Sequence, residues 1–149
     1  SYSPRSAVHA LRQHGYLSIH AAVRNEVAAA TLAEIFYEMD RMRALPVGEE
    51  ELADARNYLS GVFSLGLGTQ DGLAGQLATA YLNELPKDYL ETYRDNIRAL
   101  TAEDVLAASR RYFDSANAQI VVVGEHKDLA EQAALFGDVE LYDALGNRA

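Results

Sequence analysis

Gln119-Ile120-Val121-Val122-Val123-Gly124 is the stretch on which the fold reading turns. An unbroken β-branched run closed by glycine predicts a strand, and the absence of polar alternation predicts burial on both faces. A strand of that kind needs neighbours, so the rest of the chain must supply a sheet. Upstream, Leu17, Ile19, Ala21 and Val23 alternate with Ser18, His20, Ala22 and Arg24, a period of two. Gln13-His14-Gly15 supplies a turn before them, and Ser3 to Leu11 predicts the other arm of a hairpin, with Pro4 where an edge strand tolerates it. Downstream, Val139-Glu140-Leu141-Tyr142 predicts a short last strand.

Helical patterns fill the interval. Asn25 predicts an N-cap, and Leu32, Ile35, Phe36, Met39 and Met42 share one face of a helix over Val27 to Leu45, ended by Pro46. Glu49-Glu50-Glu51 opens a second helix where negative charge suits the dipole, with Leu52, Ala55, Leu59, Val62 and Phe63 apolar. Gly66-Leu67-Gly68 loosens it, and Thr69 caps a third helix carrying Leu73, Leu77, Ala80 and Tyr81. Lys87 to Ala99 predicts a fourth, with Tyr89, Leu90, Tyr93 and Ile97 inward, and Thr101-Ala102-Glu103-Asp104 opens a fifth with a near capping box. Asp128 to Phe136 is a short sixth. Strands, a block of helices and strands again predict one α+β domain over residues 1–149, a mostly antiparallel sheet with helices on one face.

Composition narrows the function. With 49% hydrophobic and 23% charged residues the chain is globular rather than disordered. A formal net charge of -9 argues against nucleic-acid phosphates and anionic membrane surfaces, and mainly favours solubility. The absence of cysteine removes thiolate metal sites and cysteine nucleophiles, and suits reducing and oxidising compartments alike. No apolar run approaches the roughly 20 residues that span a bilayer. Ser1-Tyr2-Ser3-Pro4 reads as a strand already under way, which predicts a chain cut upstream.

Local chemistry is thin. His9, His14, His20 and His126 form neither H-x-x-E-H nor its inverse, so they read as hairpin or surface histidines. The glycines around Gly66 lack the lysine and hydroxyl ending of a phosphate loop, and Gly124 lacks the further glycines of a dinucleotide fold. The acidic pairs lie in first helical turns and complement the dipole there, with a glycosidase-like carboxylate pair as the alternative. Most of the nine tyrosines fall at core-like helical positions, whereas Tyr2 stands at the start of an edge-like strand.

An ordered series of short segments adds a resemblance. Tyr2-Ser3-Pro4 leads into a hairpin ending in Ala22-Val23-Arg24-Asn25-Glu26. Glu49-Glu50-Glu51-Leu52 follows with Ala55-Arg56, then Leu85-Pro86-Lys87-Asp88-Tyr89-Leu90 and Leu100-Thr101-Ala102-Glu103-Asp104-Val105. Last come Ile120-Val121-Val122-Val123-Gly124-Glu125 and Phe136-Gly137-Asp138-Val139. The series resembles the C-terminal, non-zinc domain of the M16 zinc metallopeptidases, the pitrilysin, insulinase and mitochondrial processing peptidase group, and above all its bacterial members with short subunits.

That resemblance implies a clamshell of homologous α+β halves closing on an extended peptide, in a bacterial periplasm or cytoplasm. The zinc and its H-x-x-E-H motif would belong to a partner domain or subunit, in a homo- or heterodimer, with no cofactor held by this chain. This half would supply an arginine and a tyrosine spaced R-x6-Y. The tyrosine role carries over to Tyr2 alone, as a contact to substrate and to the oxyanion; the arginine would precede Ser1, and Arg5 does not replace it. The hairpin would hold peptide by β-addition. The alternatives are a non-catalytic, M16-like peptide-binding or structural subunit, and an unrelated α+β binding module.

Overall fold

The computed structural model describes residues 2–148. Strand β1 (Tyr2–Ala10) and strand β2 (Gly15–Ala22) form an antiparallel hairpin. Leu11 N–H donates to the His14 carbonyl at 2.9 Å and closes the turn. The register pairs His9 with Tyr16 and Val8 with Leu17, and shifts between Tyr2 and Arg5, where Pro4 has no N–H to give the ladder.

Six helices follow among the described residues: α1 (Ala28–Ala44), α2 (Glu49–Gly66), α3 (Gln70–Leu82), α4 (Tyr89–Ala99), α5 (Ala102–Tyr112) and α6 (His126–Ala133). Two of the predicted caps are in place. Thr69 Oγ1 accepts from Gly72 N–H at 3.0 Å, and Thr101 and Asp104 make a full capping box. Asn25 is not a cap. It opens a 3-10 turn, Asn25–Val27, and its carbonyl accepts from the side-chain amide of Gln132 at 2.9 Å. The same glutamine accepts from Ala29 N–H at 3.0 Å, which binds α6 to the start of α1.

Packing gathers into two groups. Helix α1 meets α5 and α6, with Phe36 and Phe136 stacked at 5.9 Å. Helix α2 meets α4, where Phe63 stacks on Tyr93 at 3.9 Å and meets Tyr89 edge-on at 6.5 Å. Among the described residues Ala28, Met39, Leu52, Phe63 and Leu129 are the buried apolar ones.

The α+β class holds, but the mostly-sheet expectation does not. The sheet has two strands, β1 and β2. Gln119 to Val123 has no regular secondary structure and belongs to no ladder, and the predicted last strand is reduced to a single bridge, Tyr142 with Arg148. A β-branched run favours extended backbone by itself, whereas a strand also needs a neighbour at hydrogen-bonding distance. Nor is the run buried on both faces. Val121 and Val123 are 86% and 92% exposed, while Ile120 and Val122 are 37% and 38% exposed. Side chains of an extended chain alternate in direction, so one set leans inward and the other has nothing to meet.

Several residues read as core are likewise uncovered. Leu59 and Val62 of α2, Leu73, Leu77 and Tyr81 of α3, and Tyr37, Tyr58 and Tyr112 are exposed. Among the tyrosines, Tyr89 and Tyr93 are the pair packed against Phe63. Apolar periodicity marks a face that is suited to burial, and these residues remain largely uncovered, although Leu77 and Tyr81 border a shallow cavity with Leu85, Tyr89 and Leu90.

Candidate functional site

The hairpin and the helix behind it frame an open groove of about 1100 Å³. Strand β2 forms one wall, from Tyr16 through Ala22 and on to Asn25. The floor is α1, which turns back beneath β2 after the short link from Val23 to Val27. Thr31, Leu32, Ile35, Phe36 and Met39 recur every three or four residues along it, so one helical stripe lines the floor. The other wall is the run Gln119 to Val123, with Leu129 of α6. The walls are rich in β-branched and aliphatic side chains, and the ionisable groups at the groove are Tyr16, His20, Arg24, Tyr112 and Asp114.

Both walls carry unpaired backbone. Among the described residues strand β2 pairs with β1 alone, which leaves its groove-side edge without a partner there. No N–H or C=O from Gln119 through Gly124 makes a hydrogen bond among the described residues. Three exposed carboxyls, of which Asp114 lies at the groove, are held below the usual carboxylate range by local donors: Asp104 by the backbone N–H and hydroxyl of Thr101, Asp114 chiefly by the side chain of Asn117, and Asp143 chiefly by that of Asn147. Burial, then the neighbouring Tyr93, pushes the Tyr89 phenol up. The Tyr142 phenol is raised first by its hydrogen bond to Glu140, at 2.7 Å. These shifts have structural partners; Asp114 is the one of these groups that lines the groove, and its shift comes chiefly from Asn117.

Tyr2 has its backbone at the start of β1, opposite Ala22, on the far side of β2 from the groove. Its side chain lies outside the described residues. Arg5 pairs across the hairpin with His20. His9 stacks on Tyr16 with ring centroids 4.3 Å apart, and its Nε2 is hydrogen-bonded to Ser18 Oγ at 2.9 Å. His14 and His20 are exposed on the same hairpin, and His126 opens α6. Among the described residues no three His, Cys, Asp or Glu side chains gather closely enough to hold a metal ion. Among them also, no helix is long and apolar enough to cross a membrane.

The groove walls were legible in the sequence as two period-two or β-branched stretches. That they stand apart, with α1 showing between them, was not. The signal was the mismatch between many strand-forming side chains and few stretches able to pair them. The chain matches none of the protein-family models and none of the curated proteins it was compared with.

Proposed function

We propose that this chain is the non-zinc half of an M16-type zinc metallopeptidase, one wall of a chamber that holds an extended peptide. The zinc and the H-x-x-E-H motif come from a partner domain or subunit. Tyr2 is the residue assigned to contact substrate. Its phenol O–H donates a hydrogen bond to the carbonyl oxygen of the scissile bond, where negative charge grows as the bond is attacked.

The observation that supports this reading best is the hairpin. Tyr2 sits at the start of a strand whose outer edge is unpaired among the described residues, beside the register shift at Ser3 and Pro4. An open edge offers alternating N–H and C=O groups to an extended peptide running along it. The resemblance of the ordered segments, from Tyr2-Ser3-Pro4 through Ile120-Val121-Val122-Val123-Gly124, supplies the rest.

The test is kinetic. The chain is combined with an H-x-x-E-H-bearing subunit, and hydrolysis of a fluorogenic unfolded peptide is followed. Tyr2→Phe lowers kcat at least tenfold, about 1.4 kcal/mol of transition-state stabilisation, and leaves KM within a factor of about two. Unchanged kcat removes Tyr2 from the site. Turnover by the isolated chain overturns the division of roles.

A further inference from the structure

We infer that Arg12 and Glu84 form an electrostatic latch, which holds the free end of the β1–β2 hairpin to the corner between α3 and α4 and releases it as ionic strength rises. The latch concerns where the hairpin stands and does not rest on the peptidase reading.

The corner is strained where it need not be. Helix α3 ends in a Schellman motif. Leu85 N–H donates to the Ala80 carbonyl at 2.9 Å, and Glu84 N–H donates to the Tyr81 carbonyl at 3.2 Å. The motif turns on a left-handed residue, usually glycine, and here that residue is Glu84, at φ 54°. Among the described residues it is the one non-glycine with positive φ, and the other such positions are Gly137 and Gly146. Crowding at Cβ disfavours that conformation for glutamate, and strain of this kind persists where the surroundings impose it. Glycine would make the same two hydrogen bonds without strain. What glutamate adds is a carboxylate. That carboxylate is paired with the guanidinium of Arg12, which lies in the turn of the hairpin.

The hairpin is otherwise lightly held. None of its residues with a described side chain is buried. The groove separates β2 from α1, so the strand is not seated on the helix beneath it. At one end the hairpin joins the helices through the short link from Val23 to Val27. At the other, among the described residues, the Arg12–Glu84 pair is the hydrogen-bonded contact that the hairpin makes with the rest of the chain. The Glu84 side is firmer. Leu85 and Pro86 lead into α4, whose Tyr89 and Tyr93 pack on Phe63 of α2. One partner is anchored and the other rides at the tip of a lever.

The strength of the pair sets how the latch behaves. Both side chains are 67% exposed. Exposed pairs shift an equilibrium by up to about fivefold, and salt screens them. The latch therefore favours the held hairpin without locking it. Because β2 is one wall of the groove, release of the hairpin changes the width of the groove.

The test is a distance measurement. The chain has no cysteine, so two introduced ones carry spin labels at chosen points. Gln13, in the hairpin turn, and Ala78, on α3, are exposed and are replaced as Gln13→Cys and Ala78→Cys. Double electron–electron resonance reads the separation of the labels. At about 10 mM salt, where the Debye length is roughly 30 Å, one narrow population dominates. At about 1 M, where it is roughly 3 Å, a broader and longer population grows by up to about fivefold. Glu84→Gly gives the broad population at both salt concentrations and melts no lower than the unaltered chain, so loss of the fold does not explain the release. Arg12→Glu also releases the hairpin, and adding Glu84→Arg restores the narrow population. Distances that ignore both salt and Glu84→Gly overturn the proposal. So does a double charge reversal that leaves the hairpin released. Neither zinc nor peptide enters the measurement, so its failure is distinct from a failure of the Tyr2→Phe kinetics.

Discussion

At the residue scale the clearest local device is the Thr101–Asp104 box. Asp104 Oδ2 accepts from Thr101 N–H at 2.9 Å and from its hydroxyl at 2.8 Å, while Asp104 N–H donates to Thr101 Oγ1 at 3.2 Å. Hydrogen bonds to the ionised form lower the Asp104 pKa in the folded chain. The stabilisation is therefore present above the unfolded pKa of about 3.9 and is lost as pH falls through the folded value. Asp114 and Asp143 shift the same way, so acid weakens three local structures together. Urea midpoints measured from pH 6 down to pH 2 should fall less steeply for Asp104→Asn than for the unaltered chain. Equal slopes would show that the box does not couple to folding.

At the element scale the joint between α2 and α3 is built on glycine. A Cβ on Gly72 would overlap the carbonyl oxygen of Gly66, backbone that cannot step aside without opening the corner. Gly75, one turn on in α3, has nothing within 4 Å of such a Cβ. Gly72→Ala should destabilise the chain by about 1–3 kcal/mol through forced backbone shifts. Gly75→Ala should stabilise α3 by roughly 0.5–1 kcal/mol, because alanine costs less entropy in a helix. Thermal melts of the two variants in parallel test the contrast, and similar melting temperatures would mean that the corner is looser than its geometry implies. The element that departs furthest from its expectation is Gln119–Val123. Its alternating exposure is that of a strand, yet its hydrogen bonds are missing.

At the scale of the whole molecule, the surface is too large for the mass. An unfolded chain of 16.3 kDa exposes about 23,600 Å². With 11619 Å² still exposed when folded, unfolding uncovers about three quarters of what it would for a compact domain of this size. Because m scales with the surface exposed on unfolding, the urea m-value should lie about a quarter below the value normal for 149 residues. A normal m-value in the free chain would mean that α3 and the exposed face of α2 are covered in solution.

What the sequence determined by itself was local. Hydrophobic period, Pro46, Thr69, the Thr101 box and the turn before Gly15 place the helices and the hairpin to within a few residues, because each depends on neighbours a few positions away. The apolar faces of α2 and α3 and the strand-like run at Ile120 were legible in the same way. What covers them was not, because a pattern says that a face is suited to burial and cannot say against what. Only the tertiary structure decided that β2 and Gln119–Val123 lie over α1 with a gap between them. Pairing is a matter of distance between segments about a hundred residues apart, and side-chain type does not encode it.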